Sequence, residues 1–212
     1  MENADKKILF NISGPYAVGK DTMLNAVIAQ YTDTVHRVSS LTTRPSDSSS
    51  DPSYKSVSDR QFDEITSKNE WISNQQLGGK YRYGTSIDEI RAQASNGKIS
   101  VHSIFAGEKG AQKLREIFGK KLLSIALLAV EGSFEDQVKV LEERMLSRGR
   151  ETIDVIRRKL HFQHEQIDFI LANPTVESPD GKMKVFDEVV INEELEATQS
   201  KILQLFKLSF NL

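Results

Sequence analysis

Residues 8–12 (ILFNI) form a short apolar run that stops at Ser13-Gly14-Pro15, and an amphipathic stretch follows at once. Met23, Leu24, Val27, Ile28 and Tyr31 recur there at helical spacing. A strand that passes through glycines directly into a helix is the opening unit of a parallel sheet covered by helices. The connecting residues Gly14-Pro15-Tyr16-Ala17-Val18-Gly19-Lys20 satisfy the first seven of the eight positions of the phosphate-loop pattern. Glycines let backbone amides converge on an anion, and the helix N-terminus adds a favourable dipole. Lys20 is placed to reach the β- and γ-phosphates of a nucleotide. At the eighth position Asp21 replaces the usual hydroxyl residue, and Thr22 comes next. Two readings stay open: Asp21 turns toward a magnesium ion or its water shell, or it is a first-turn helix acid and Thr22 does the hydroxyl's work.

The rest of the chain continues the alternation. Ile99, Val101 and Ile104 read as part of another strand, and residues 122–130 (LLSIALLAV) as a strand buried on both faces. Phe134, Val138, Leu141 and Met145 mark a helix, and Val155, Ile156, Leu160, Ile167 and Leu171 mark one later helix. Residues 185–191 read as the last strand, and Leu195, Ile202, Leu203 and Phe206 as the closing helix. The expected fold is three-layer α/β with a parallel central sheet. Residues 45–56 (PSDSSSDPSYKS) are a polar loop, and Pro179-Asp180-Gly181 is a turn signal. The whole chain, 1–212, reads as one domain with a core over about 7–40 and 98–212 and a small inserted lobe over about 41–97.

Phosphoryl transfer needs positive charge around the moving group and exclusion of water. Arg144, Arg148, Arg150, Arg157, Arg158 and Lys159 supply the charge, with Arg144 and Arg148 one helical turn apart. Gly149 breaks the helix between them and Arg150, so residues 144–160 read as a lid able to swing arginines over a bound nucleotide. His161 and His164 lie one turn apart, but no cluster of further ligands completes a metal site beside them.

Taken in order, these residues resemble the guanylate kinase family. The resemblance is carried by residues 13–20, Ser40-Leu41-Thr42-Thr43-Arg44, Tyr54 before Val57-Ser58, Phe62, and Tyr83-Gly84-Thr85-Ser86. Gly110-Ala111-Gln112, the Arg144/Arg148-Gly149 segment and Val190-Ile191-Asn192 complete it. It implies a phosphate-loop kinase with a core, a lid and a nucleoside-monophosphate-binding lobe, which phosphorylates its acceptor from MgATP. By position it assigns the donor to the loop residues 14–20 with Asp21 and Thr22, and places Asn192 near the donor adenine. Ser40, Arg44, Tyr54, Tyr83 and Thr85 fall to the acceptor. Lys20, Arg144, Arg148 and Arg158 or Lys159 fall to the transferring group.

The chain departs from the family pattern at the acceptor. The second phosphate-binding arginine falls on Asp47, the guanine-reading glutamate near Ser73 or Asn74, and the acidic strand end reads Ser100-Val101-His102-Ser103-Ile104. Losing both carboxylates is expected to weaken guanine selectivity, since a guanine N1–H and amino group need acceptors. Gly19-Lys20-Asp21-Thr22, Thr43-Arg44-Pro45 and Arg148-Gly149-Arg150-Glu151 also resemble ribose 1,5-bisphosphate phosphokinases, which makes a sugar bisphosphate the alternative acceptor to GMP. A non-catalytic, protein-binding guanylate-kinase-like module is a third reading, against which the intact Gly14, Gly19 and Lys20 argue.

Composition narrows the partners. Cysteine is absent, which excludes thiol catalysis and disulfide scaffolds. The net charge of -2 gives no basic field for nucleic acid. The run at 8–12 is too short for a signal peptide or membrane span, so a soluble cytoplasmic enzyme or binding domain is expected.

Overall fold

A computed structural model describes residues 6–45, 52–68, 70–77, 81–103, 107–149, 151–161 and 163–212. The chain opens with β1 (Leu9–Ser13), α1 (Lys20–Gln30), β2 (Val35–Arg37), β3 (Ser40–Thr42) and β4 (Tyr54–Ser56). It continues through α2 (Asp59–Thr66), β5 (Trp71–Leu77), β6 (Tyr81–Ser86), α3 (Ile87–Ser95), β7 (Ile99–Ser103) and α4 (Gly107–Phe118). The second half contains β8 (Leu122–Leu128), α5 (Phe134–Ser147), α6 (Ile153–His161), α7 (His164–Ala172) and the hairpin β9 (Thr175–Ser178) and β10 (Gly181–Lys184). It ends with β11 (Glu188–Ile191) and α8 (Leu195–Phe210).

Five strands form the central sheet in the order β11-β8-β1-β7-β2, with every pairing parallel. Strands covered on both faces read as unbroken apolar runs, and β8 is buried along its whole length. On one face Phe10, Ile12, Leu123 and Ile125 join Met23 and Val27 of α1 and Ile202 and Phe206 of α8. On the other, Leu9 and Leu122 join Ile87 and Ile90 of α3 and Leu114 and Phe118 of α4. This is the three-layer architecture the sequence predicts. The sheet order reverses at β1, with β7 and β2 on one side and β8 and β11 on the other. Such a switch point opens a crevice at the carboxyl ends of the strands.

A second sheet has the order β4-β3-β6-β5, with β3 parallel to β4 and antiparallel to β6, which also pairs antiparallel with β5. Its core is aromatic. Phe62 of α2 stacks on Trp71 at 6.1 Å between centroids, and the Arg82 guanidinium covers the Phe62 ring at 4.3 Å.

Two elements differ from the sequence reading. The spacing from Val155 to Leu171 predicts one helix, but α6 and α7 are separate. The Gln163 amide closes a turn on the Leu160 carbonyl (2.9 Å), and its buried side chain is drawn away to the loop after β1. Leu160 and Ile167 both reach the core across the break, which is why the periodicity runs through it. The last strand begins at Glu188 rather than at residue 185: the Asp187 carboxylate takes the Ser124 amide of β8 and Arg115 takes the Val185 carbonyl. Ile104 and Arg150 lie outside the described residues.

Asp187, itself exposed, is the ionic partner of a buried arginine. Arg115 of α4 is fully buried. Its Nη2 donates to Asp187 Oδ2 (2.7 Å), Nη1 to Gly119 O (2.7 Å) and Leu122 O (3.4 Å), and Nε to Val185 O (3.3 Å). The same Asp187 oxygen accepts the Ser124 amide (2.8 Å). One side chain thus ties α4, the start of β8 and the approach to β11. Removing the guanidinium strands the carbonyls of Gly119, Leu122 and Val185 that it bonds. Arg115→Met should lower the free energy of unfolding by about 3 kcal/mol in urea with an unchanged slope. A loss below about 1 kcal/mol would show that these bonds add no stability.

Candidate functional site

All five strands of the central sheet end on one edge, and the glycine loop between β1 and α1 lies at its middle. Close packing fixes the shape of the loop. Gly14 has φ 151°, and a Cβ there would stand 2.7 Å from the Leu127 carbonyl and 2.9 Å from Val18 Cγ1. Gly19 has φ 99°, and its Cβ would stand 2.6 Å from Asn192 Nδ2. Only glycine fits where the backbone is left-handed and crowded. Ala17 also adopts positive φ, 61°. Asn192, just past β11, donates from Nδ2 to the Val18 carbonyl (2.7 Å), and Gln163 accepts the Tyr16 amide (2.7 Å). Helix α1 begins at Lys20 without a side-chain cap, so its first amides keep their capacity for an anion.

Lys20 Nζ donates to the carbonyls of Gly14 and Pro15, both at 2.7 Å. Burial pushes its pKa down to about 8, with Arg148 adding to the fall and Asp21 opposing it. Arg144 of α5 donates from Nη2 to the Asn192 carbonyl (2.5 Å) and lies 3.5 Å from the Ala129 carbonyl. Burial and the Arg148 charge lower its pKa too. Arg148 ends α5, is exposed, and acts electrostatically on both Lys20 and Arg144. Three cations therefore share one edge of the sheet, an arrangement that favours a polyanion.

The other arginines stand differently. Arg158 is exposed on α6, and among the described residues no hydrogen bond or ion pair ties it to the loop. Its neighbour Lys159 instead lies 5.3 Å from the centre of the Tyr16 ring and pairs with Glu151. Gly149 follows α5 with φ 62°, which ends the helix between Arg148 and Glu151.

The proposed acceptor residues gather around the second sheet. Ser40 Oγ and Thr85 Oγ1 are 2.7 Å apart, although 45 residues separate them in sequence. Tyr54 and Tyr83 meet edge to face at 5.8 Å between centroids, and Tyr54 is 43% exposed. They are not the core of this sheet, which Phe62 and Trp71 supply. Arg44 lies exposed two residues beyond β3, with its amide on Thr42 Oγ1 (3.1 Å). Asp47 lies outside the described residues.

Asp21 and Thr22 sit exposed on the first turn of α1, beside Lys20. Among the described residues no group of three or more His, Asp or Glu side chains could hold a metal. That donor set suits magnesium, which takes one or two protein oxygens and completes its shell with water and phosphate.

Several residues at the site carry no sequence signal for it. Gln163 holds the loop amide, while Gln137 accepts the Ala129 amide (2.8 Å) and donates to the Val130 carbonyl. His102 of β7 lies 3.3 Å from Ser40 Oγ and 3.4 Å from Thr85 Oγ1. A buried glutamine or histidine could be flagged only from a set of contacts that the fold itself creates.

No helix among the described residues is long and apolar enough to cross a membrane. The guanylate kinase family model matches residues 6–208. A guanylate kinase of Trichormus variabilis is 27% identical over 202 residues, covering 95% of this chain and 90% of its own length. One from Halalkalibacterium halodurans is 29% identical over 199 residues, covering 93% and 86%. The crystal structure of guanylate kinase from Anaplasma phagocytophilum shares the fold, with a TM-score of 0.63 at 19% identity, covering 96% of this chain and 86% of that one. A family match that runs from before β1 almost to the end of α8, over a sheet edge built for a polyanion, leaves one assignment: the chain belongs to the guanylate kinase family and is an ATP-dependent kinase.

Proposed function

We propose that the chain transfers the γ-phosphoryl group of MgATP to the phosphate of a nucleoside monophosphate, with GMP as the acceptor. The convergence of Lys20, Arg144 and Arg148 on the glycine loop carries the donor half of this reading. The relatives' shared name supports the acceptor and favours GMP over a sugar bisphosphate. The intact loop and its cations argue against a module without catalysis.

In this reading the amides of residues 14–20 and the Lys20 ammonium cradle the donor phosphates, and the loop carbonyls that Lys20 now faces are exchanged for phosphate oxygens. Asn192 holds the loop from the side of the donor base. Asp21 or Thr22 would hold magnesium, which neutralises charge on the bridging phosphates. Arg44, Tyr54 and Tyr83 take the acceptor phosphate, since a guanidinium fork with phenolic donors suits a phosphomonoester. Ser40 and Thr85 take its base. Arg144 and Arg148 balance charge as the phosphoryl group moves, and the lid over 144–160 excludes water. Arg158 or Lys159 joins them on closure. The acceptor is already an anion, so no side chain has to remove a proton.

A coupled ADP-release assay tests this directly. Turnover with GMP and MgATP is expected, and Lys20→Ala should lower kcat by about a thousandfold while the protein stays folded. Near-normal activity in that variant would refute the donor assignment, and turnover of ribose 1,5-bisphosphate alone would refute the acceptor. The Lys20 titration gives a second test. With its pKa at about 8, this lysine is mostly neutral at pH 9 in the free protein, and bound phosphates restore the ammonium. ATP binding at pH 9 should therefore take up close to one proton more in the wild type than in Lys20→Met. Calorimetry in buffers of different ionisation enthalpy measures this, and equal uptake by the two proteins would show that Lys20 does not titrate on binding.

A further inference from the structure

His102 and Thr85 are almost wholly buried, at 3% and 1% exposure, whereas Ser40 is half-buried. The three meet in a triangle. His102 Nε2 lies within reach of both hydroxyls, and the hydroxyls bond each other at 2.7 Å. The other ring nitrogen, Nδ1, is buried with no hydrogen-bond partner among the described residues. Asn11, the register neighbour of His102 on β1, turns its own amide Nδ2 to Ser13 Oγ instead (2.9 Å). Burial, reinforced by the Arg37 charge, pushes the imidazole pKa down to about 4, so the ring is neutral at physiological pH and carries a single N–H.

The position of that hydrogen decides what the hydroxyls offer a ligand. A buried N–H without an acceptor is costlier than a bare nitrogen lone pair. The hydrogen therefore sits on Nε2, which has two oxygens beside it, and not on Nδ1, which has none. Nε2–H then donates into the hydroxyl pair. One of the two O–H groups closes the Ser40–Thr85 bond, which leaves one to point outward. Ser40 is the more exposed member, so the chain runs from His102 Nε2–H to Thr85 Oγ1, from Thr85 O–H to Ser40 Oγ, and from Ser40 O–H to the ligand. With the hydrogen on Nδ1, Nε2 would consume a hydroxyl hydrogen and Ser40 would present lone pairs only.

We infer that His102 is a positioning residue for acceptor specificity: it polarises the Thr85–Ser40 chain so that Ser40 donates to the 6-oxo group of a purine nucleotide. This rests on the nucleoside monophosphate reading above. An O–H donor matches O6 of guanine or hypoxanthine and opposes the N–H of an adenine 6-amino group. A neutral chain of this kind would select an oxo-purine without a carboxylate.

The test compares kcat/KM for GMP, IMP and AMP in the wild type and in His102→Phe, His102→Gln, His102→Asn, Ser40→Ala and the Ser40→Ala/His102→Phe double variant. Thermal unfolding of each protein verifies its fold. His102→Phe should lower the values for GMP and IMP by about tenfold each, the worth of one hydrogen bond, and leave AMP and the KM for ATP unchanged. His102→Gln, whose Nε2 reaches as far as the imidazole Nε2, should restore most of the loss, while the shorter His102→Asn should not. The double variant should lose no more than Ser40→Ala alone, because His102 acts through that hydroxyl. Equal losses on all three acceptors, a changed KM for ATP, or additive losses in the double variant would overturn the inference. If His102→Phe fails to fold, the contrast between the Gln and Asn variants decides. Should the wild type bind ATP yet turn over none of the three nucleotides, the acceptor reading falls and takes this inference with it. If GMP turns over normally and the His102 variants leave the GMP-to-AMP ratio unmoved, the inference alone falls.

Discussion

The Asn192 amide on the Val18 carbonyl joins the end of the last strand to the loop after the first, and the shape of the glycine-loop edge depends on that contact. Val18 and Gly19 are the last residues before α1, so the bond fixes where the helix starts and where its uncapped amides face. Gly19 has no room for a side chain because Asn192 fills the space a Cβ would need. The same asparagine passes the constraint outward: its own carbonyl receives the Arg144 guanidinium. One residue at the end of β11 therefore orients the loop backbone, the lysine that follows it and the first arginine of α5. The Gln163 side chain clamps the loop from the opposite quarter. A loop held at both ends by buried amides meets an anion already shaped, which limits the ordering cost of binding.

The parts of this architecture that the sequence predicts are those that local physics determines. β8 is legible because a strand covered on both faces cannot carry alternating polar residues, and LLSIALL does not. The loop is legible because glycines flank it and a strand and a helix bound it. The α6–α7 break is not legible, since Phe162 and Gln163 carry no stop signal and apolar spacing persists across it. The strands β2, β3 and β4 span three residues each and are mostly polar, so pairing rather than composition makes them strands. The triangle of Ser40, Thr85 and His102 is hidden for a related reason. Ser40, Thr85 and His102 come from three strands, and each side chain looks unremarkable until the second sheet folds against β7.

The cations at the edge differ in how the fold holds them. Arg144 is anchored by backbone carbonyls at the ends of two strands, so its charge is in place before any ligand arrives. Lys20 faces carbonyls of its own loop, and those dipoles hold its ammonium beside the loop backbone. Arg148 ends a helix beside a positive-φ glycine and is exposed. The edge thus combines a charge fixed by two strand ends, a charge held by its own loop and an exposed charge at a helix end.

The polar row across the sheet follows the same logic. Ser124, Asn11 and His102 are register neighbours on β8, β1 and β7, and each leaves a buried polar atom without a partner among the described residues. Such atoms destabilise a core by about 1 to 3 kcal/mol each, and apolar residues at these positions would avoid the cost. Within the row, Asn11 is bonded toward the glycine loop through Ser13, and His102 toward the Ser40 and Thr85 hydroxyls. Local rules are broken on this face of the sheet, while β8 and β1 remain apolar on their other face. Ser100 of β7 adds a further unpartnered hydroxyl, and packing alone supplies no reason for so much buried polarity on these strands.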